Sequence, residues 1–544
     1  MNNPWWKQAV IYEIYSRSFQ DSNGDGIGDI RGIISRLGYL EKLGVDAVWL
    51  TPMYASPQAD NGYDISDYRS IDPVFGSMED MDQLIREAGR RGIRVIMDLV
   101  LNHTSDEHRW FQEARKSRDN PYHDYYVWRD GTKESPPNEM QGVFGGSCWT
   151  WVESCRQYYF HQFAGKQPDL NWENGKVRQE IYDVMNWWKG KGVGGFRFDV
   201  IDQIDKEPDR GITANGPKLL SYLTNMRDNT YGGTELVTVG ETWGADWERA
   251  VRYSNEENGV FSMVFQFEHM SLDQRPGKGK WEVCKLDFIR LKQVLSRWQE
   301  RLYQKGWNSL FWNNHDLPRI VSRWGDDGEY SEKAAKMLAI LLFGMQGTPY
   351  IYQGEELGMT NVRYSIEEYR DIETLNFYSE EKAKGRAKKE IISAIHARSR
   401  DNARTPMQWS EQEHAGFTTG VPWMKVNPDY VKRNAKAEMA DTDSVWACYR
   451  RLIALRKEHM VLIEGQYQLL LEEDPRLFVY KRTWRQEEIL VVCNFFRHAA
   501  SFVLPTPWLE AGELLISNYE ELENGRLKSF EARMYLKKEV DSLC

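Results

Sequence analysis

An α/β fold is predicted for this chain: a (β/α)8 barrel with a subdomain inserted after strand 3 and an antiparallel β domain at the C-terminus. Three observations lead there. Eight short apolar runs alternate with segments of helical periodicity up to about residue 463. Polar residues follow runs three, four, five and seven, at the strand ends where a barrel carries its reactive loops. Beyond that point the texture changes to short alternating strands.

The runs are 10–15, 45–50, 93–100, 193–200, 236–241, 261–265, 309–313 and 349–353. Between the second and third, Met78, Met81, Leu84, Ile85 and Ala88 fall at helical spacing. Residues 104–170 are too long for a simple loop and rich in Trp, Tyr, Pro and Gly, so they read as a subdomain overhanging the barrel mouth. The strongly charged stretch 361–404 reads as helices on the rim. A further helix over 444–456 puts Val445, Cys448, Tyr449, Leu452 and Ile453 on one face. The runs at 477–480, 489–492 and 514–516 belong to the β domain. The expected division is therefore barrel 1–103, inserted subdomain 104–170, barrel 171–463 and β domain 464–544.

A net charge of −11 with no basic cluster argues against nucleic acid or an anionic membrane as partner. No basic segment followed by an apolar run opens the chain, and no apolar stretch approaches the roughly 20 residues that span a bilayer. The six cysteines lack zinc-type spacing and read as reduced thiols of a cytoplasmic protein, although Cys148 and Cys155 are close enough to leave a disulfide open. Aromatic residues make up 13%, with 22 Trp and 28 Tyr, an excess that suits stacking on sugar rings as well as core packing. A small-molecule substrate, no organic cofactor and a monomeric chain are the expectations.

The fourth run ends in Phe196-Arg197-Phe198-Asp199. As a strand, it turns Phe196 and Phe198 to one face and Arg197 and Asp199 to the other. A guanidinium two residues before a carboxylate favours the ionised acid, which suits a nucleophile, though a structural ion pair is the alternative. In a barrel, Asp199, Glu241 and Asp316 converge from strands four, five and seven. Glycoside hydrolysis needs one acid to protonate the leaving oxygen and one carboxylate on the opposite face of the sugar. Glu241, sharing a pocket with an anion, is expected to have a raised pKa and to serve as acid/base. His103 and His315 stand at two strand ends, where they can bond sugar hydroxyls.

These residues lie in Asp98-Leu99-Val100-Leu101-Asn102-His103, Gly195-Phe196-Arg197-Phe198-Asp199, Val239-Gly240-Glu241 and Asn314-His315-Asp316, which resemble the four motifs of the α-amylase superfamily. Gln167-Pro168-Asp169-Leu170-Asn171 matches its additional motif, so the resemblance spans the chain in five ordered places. It implies a retaining mechanism with Asp199 as nucleophile, Glu241 as acid/base and Asp316 as transition-state stabiliser, the first two about 5–5.5 Å apart. Phe198 departs from the methionine many members carry; both are apolar.

Within the superfamily the chain resembles the oligo-1,6-glucosidase group, glucan 1,6-α-glucosidases (dextran glucosidases) especially. The resemblance implies that Tyr63, in Gln58-Ala59-Asp60-Asn61-Gly62-Tyr63-Asp64, stacks on the terminal glucose. It also implies that Asp60 pairs with Arg404 to close the pocket, giving an exo-acting enzyme. Val200 is the residue type that group associates with α-1,6 linkages. Trp243 and Lys280 resemble its leaving-sugar subsite. A trehalose-6-phosphate hydrolase is the enzyme alternative, but no Arg/Lys cluster for a phosphate is legible. A sucrose isomerase lacks its arginine-rich loop here. A non-catalytic barrel acting as a binding partner would lack the full acidic set.

Asp21-Ser22-Asn23-Gly24-Asp25-Gly26-Ile27-Gly28-Asp29 carries oxygen ligands at alternate positions, like the first nine positions of an EF-hand loop. The glutamate expected at position twelve is absent, Gly32 standing there. Related glucosidases bind calcium in this loop. A structural Ca2+ on Asp21, Asn23, Asp25, the Ile27 carbonyl and Asp29 is therefore expected.

Overall fold

The computed structural model describes residues 4–538. Eight parallel strands build the barrel: β1 (Ile11–Ile14), β2 (Ala47–Leu50), β3 (Arg94–Val100), β4 (Gly195–Asp199), β5 (Val237–Glu241), β6 (Met263–Phe265), β7 (Ser309–Leu310) and β8 (Thr348–Tyr352). They neighbour one another in the order 6-5-4-3-2-1-8-7, and a parallel bridge between Val264 and Asn308 joins the two ends. Nearly every strand residue is buried, which is why the runs are continuously apolar instead of alternating. The seventh run yields only a two-residue strand; beyond it the Trp312 Nε1–H donates to the Leu338 carbonyl and the Asn313 amide to Glu355. Gly195 is required where β4 meets β5: a Cβ there would lie 2.1 Å from the Val237 carbonyl oxygen.

Each strand is followed by a barrel helix: α1 (Ile30–Leu43), α2 (Met78–Arg90), α3 (Gly175–Gly190), α4 (Leu219–Asn229), α5 (Trp247–Ser254), α6 (Phe288–Leu302), α7 (Ser331–Phe343) and α8 (Val445–Glu458). Their ends are written locally. Asp29 caps α1 by accepting from the Gly32 N–H, and Gly44 ends it at φ 96°. Ser77 and Asp80 form a capping box on α2.

Between β3 and α3, an antiparallel sheet of Trp128–Asp130, Gln157–Phe160 and Trp149–Val152 stands over the barrel mouth. It is tied back by a bridge between His103 and Asp169. Helices Ile372–Ala383 and Lys388–Arg398 lie between β8 and α8. The C-terminal region is a five-stranded antiparallel sheet, and its strand Leu477–Trp484 sends the Tyr480 hydroxyl to the Leu341 carbonyl of α7 (2.6 Å). Cys148 and Cys155 are free thiols, as are the other described cysteines; Cys544 lies outside the described residues. Among the described residues no helix is long and apolar enough to cross a membrane.

Candidate active site

The C-terminal ends of β3, β4 and β5 bring three carboxylates onto one guanidinium. Arg197 Nη1 lies 2.8 Å from Asp98 Oδ1 and 2.7 Å from Asp199 Oδ1, while Nη2 lies 2.6 Å from Glu241 Oε2. The parallel register explains the convergence, since Arg197 pairs with Asp98 on one side and Val239 on the other. Asp98 is saturated further by the Tyr63 hydroxyl (3.0 Å) and Trp49 Nε1 (3.1 Å). The expectation that Arg197 simply holds Asp199 ionised needs correction. Burial pushes the Asp199 carboxyl well above its ordinary range, and Arg197 only partly offsets this because Glu241 and Asp98 share it. One cation cannot neutralise three buried carboxylates, so the cluster favours retaining a proton.

Glu241 is aimed by two neighbours. Its Oε2 accepts from the Val200 N–H (3.0 Å) and its Oε1 from Trp243 Nε1 (3.1 Å). Val200 makes the first bond from the left-handed region, at φ 35°, a conformation that costs a β-branched residue about 1–3 kcal/mol.

Across the mouth, His315 sits between two acids, with Nδ1 2.6 Å from Glu13 Oε1 and Nε2 3.2 Å from Asp316 Oδ2. Burial disfavours its charged form, but Asp316 and Glu13 outweigh this and raise the imidazolium to about 10. Asp316 is held well below the usual carboxylate range: burial opposes ionisation, and His315, Arg400 and Arg404 overcome it. Tyr63 stacks one ring face on His315 at 5.2 Å, leaving only the other for a sugar.

The expected Asp60–Arg404 pair is not formed. Arg404 Nη2 binds Asp316 Oδ1 (2.7 Å) and its Nε donates to the His315 carbonyl (3.0 Å). The ion partner of Asp60 is Arg400, at 3.4 Å, which also contacts Asp316 (3.3 Å) and Asp371 (2.6 Å). Arg400 lies four residues before Arg404 and reaches Asp60 first. Burial still pushes the Asp60 carboxyl up to about 6 against the pull of both arginines.

Asp60, Tyr63, His103, Asp199, Val200, Glu241, Trp243, Lys280 and Asp316 all line one cavity of about 1030 Å³. Arg197, His315 and Arg404 stand behind that wall, touching the residues that line it. Trp243 is 47% exposed and stacks on Phe267 with centroids 3.8 Å apart. Lys280 pairs with Glu373, which also lines the cavity. His103 is fully buried and, mainly through that burial, its pKa falls to about 4, so the ring is neutral near pH 7. The cavity also reaches Arg290, Arg297, Arg323 and Arg398, a group not legible in the sequence. Three of these are matched by acids: Arg297 by Glu268, and Arg323 and Arg398 by Asp273.

The loop at 21–29 folds onto its own oxygens. Asp21 accepts from the N–H groups of Asn23, Gly24 and Gly26, Asn23 Oδ1 from Asp25, and Asp25 Oδ1 from Ile27. The Asp21 carboxyl is lowered despite its desolvation, by the Thr418 hydroxyl and these backbone donors. Asp29 is engaged by Ser22 and caps α1. Among the described residues no group of three or more His, Cys, Asp or Glu side chains is arranged as a metal site by itself. A cation here would need the Asn23 amide and the Ile27 carbonyl as well, which is the donor set a hard, oxygen-seeking ion prefers.

Residues 13–465 match the family model described as alpha amylase, catalytic domain. The chain belongs to the alpha-amylase family. It is 53% identical to an oligo-1,6-glucosidase of Halalkalibacterium halodurans over 99% of this chain and 100% of that protein. It is also 53% identical to a glucan 1,6-alpha-glucosidase of Streptococcus pneumoniae serotype 4, over 91% and 92% of the two chains. Among solved structures it is similar to the trehalose-6-phosphate hydrolase of Bacillus licheniformis, with TM-score 0.94, 46% identity and coverage of 99% and 100%. The fold expectation therefore holds, and the protein is a glycoside hydrolase.

In this alpha-amylase family site, sequence reasoning missed Arg400, Asp371, Glu373 and Lys206. Arg400 was discoverable: Arg400-Asp-Asn-Ala-Arg404 repeats an arginine at i, i+4, which places both on one helical face. Asp371 and Glu373 lie in a charged stretch with no motif, and only tertiary contact selects them.

Proposed function

We propose that the chain is a retaining exo-α-glucosidase that hydrolyses α-1,6-glucosidic bonds at the non-reducing end of isomaltooligosaccharides and dextran, releasing glucose. The observation that carries this is the pairing of Asp199 and Glu241 on one guanidinium at the floor of a pocket whose wall is the Asp60–Arg400–Asp316–Arg404 network. Asp199 attacks the anomeric carbon while Glu241 delivers the cluster's proton to the leaving oxygen, giving a covalent glucosyl-enzyme. Glu241, now a base, deprotonates the water that releases glucose. Asp316, kept anionic by His315 and the two arginines, stabilises the positive charge that develops on the sugar. His103 and Tyr63 hold that sugar, Trp243 and Lys280 receive the leaving one, and Val200 shapes the wall beside the scissile oxygen.

The α-1,6 preference is supported by Val200 and by similarity to proteins named for that linkage. Trehalose-6-phosphate hydrolysis is the second reading, favoured by the structural neighbour and by the arginines in the cavity lining. It is disfavoured because Glu268 and Asp273 already offset three of them. Glucose release from isomaltotriose, maltotriose and trehalose-6-phosphate, measured side by side, tests the choice. Isomaltotriose should be turned over fastest, with Asp199→Ala inactive on all three; faster maltotriose cleavage would refute the linkage.

We also propose Ca2+ in the loop 21–29 as a structural ion, on Asp21, Asn23, Asp25, the Ile27 carbonyl and Asp29, where it would pin the start of α1. We further propose a cytoplasmic, monomeric protein, the first supported by the free thiols.

A further inference from the structure

Lys206 lies in the loop after β4, outside every motif, yet its side chain is 3% exposed. Its ammonium donates to Asn102 Oδ1 (2.5 Å) and pairs with Asp169 Oδ2. Asn102 Nδ2 in turn lies 3.3 Å from Asp169 Oδ2 and 3.1 Å from His103 Nδ1. This arrangement fixes the Asn102 amide chemically. Turned over, it would set an N–H against the ammonium and an oxygen against the carboxylate, two repulsive contacts in a buried site.

With the amide so fixed, His103 Nδ1 faces an N–H and must accept. At the other ring nitrogen stand the Tyr63 carbonyl (3.2 Å) and Gln167 Nε2 (3.1 Å). Gln167 Nε2 already has an acceptor in Asp60 Oδ2 (3.1 Å), and Gln167 Oε1 accepts from the Ala164 N–H. The Tyr63 carbonyl can only accept, so it needs a proton on His103 Nε2. We propose that Lys206 is a positioning residue which, through Asp169 and Asn102, holds His103 in its Nε2–H tautomer and so maintains the bond from His103 Nε2–H to the Tyr63 carbonyl that fixes this side of the pocket. The tautomer assignment stands on protein contacts alone. Its consequence for catalysis rests on the glucosidase reading above, in which the Tyr63 ring that this bond positions packs against the terminal sugar.

The test is the 15N spectrum of the full-length enzyme labelled at histidine, with the His103 signals assigned by their loss in His103→Gln. The wild type should carry its proton on Nε2. In Lys206→Met/Asp169→Asn, which removes both charges together, that tautomer should give way to a mixture or to Nδ1–H. The same variant should lose about tenfold in kcat/KM on isomaltotriose, with little change in melting temperature. A wild-type proton on Nδ1 overturns the proposal, as does a double variant that keeps the pure Nε2–H form. Should the double variant not fold, Lys206→Gln takes its place, with the same expected and overturning spectra. Failure of the wild type to cleave isomaltotriose would refute the substrate reading and leave the tautomer result standing.

Discussion

Asp60 concentrates the electrostatic logic of the pocket in one side chain. It is buried, touches Arg400 and feels Arg404, yet Asp64 and Asp316 are also near, and its carboxyl is pushed up to about 6. A group with a raised pKa loses its charge while the pH is still mild. Below about pH 6 Asp60 takes up a proton, Arg400 loses an anionic partner and the wall of the sugar pocket loosens. The expected outcome is a KM for isomaltotriose that rises about tenfold as pH falls from 7 to 5. Asp60→Asn should have a high KM that is flat over the same range. A wild-type KM independent of pH there would contradict this role. The residue scale is also where reading the sequence was least complete. Arg197 and Asp199 were legible as partners from strand alternation, but the sharing of Arg197 with Asp98 and Glu241 depends on three strands in register.

At the scale of elements, the loop 21–29 joins β1 to α1 and packs against a distant segment, with Thr418 donating to Asp21 and the Asp21 N–H donating to the Phe417 carbonyl. A cation on its oxygens would stabilise the loop, the cap of α1 and that contact together. Dialysis against a calcium chelator is therefore expected to lower the melting temperature by several degrees, restored by added Ca2+, with kcat almost unchanged below the transition. Unaltered melting would remove the calcium assignment. The alternate oxygen-bearing side chains of this loop are visible in the sequence because they form a local pattern. The Asp60 partner is not, because Arg400 and Arg404 differ only in which reaches across the pocket first.

At the scale of the whole molecule, the C-terminal sheet is fastened to the barrel by buried cations that bond backbone carbonyls. Arg482 donates to the carbonyls of Gly465 (2.7 Å) and, across to the barrel, Gly344 (2.9 Å). Lys292 of α6 reaches the carbonyls of Leu471 and Asp474, both at 2.8 Å. Removing such a donor leaves carbonyls desolvated and unpaired, at about 1–3 kcal/mol each. Arg482→Ala is expected to destabilise the protein by roughly 3 kcal/mol or more in denaturant unfolding, with kcat unchanged in the folded fraction. A loss below about 1 kcal/mol would show the fastening to be incidental. Nothing in the sequence marks these residues, since a buried arginine that bonds carbonyls has no partner at a fixed spacing.

By itself the sequence determined the eight-run alternation, the inserted and appended regions, the three acids at strand ends and the family to which they belong. Those features are local: periodicity of side chains, composition of loops, and short ordered motifs. Tertiary structure alone decided which charges meet. It set one arginine among three carboxylates, gave Asp60 to Arg400 and Asp316 to Arg404, and brought Lys206 beneath His103. The reason is physical. A buried charge is governed by whichever opposite charges and dipoles lie within a few ångströms, and that neighbourhood is assembled from strands and loops hundreds of residues apart.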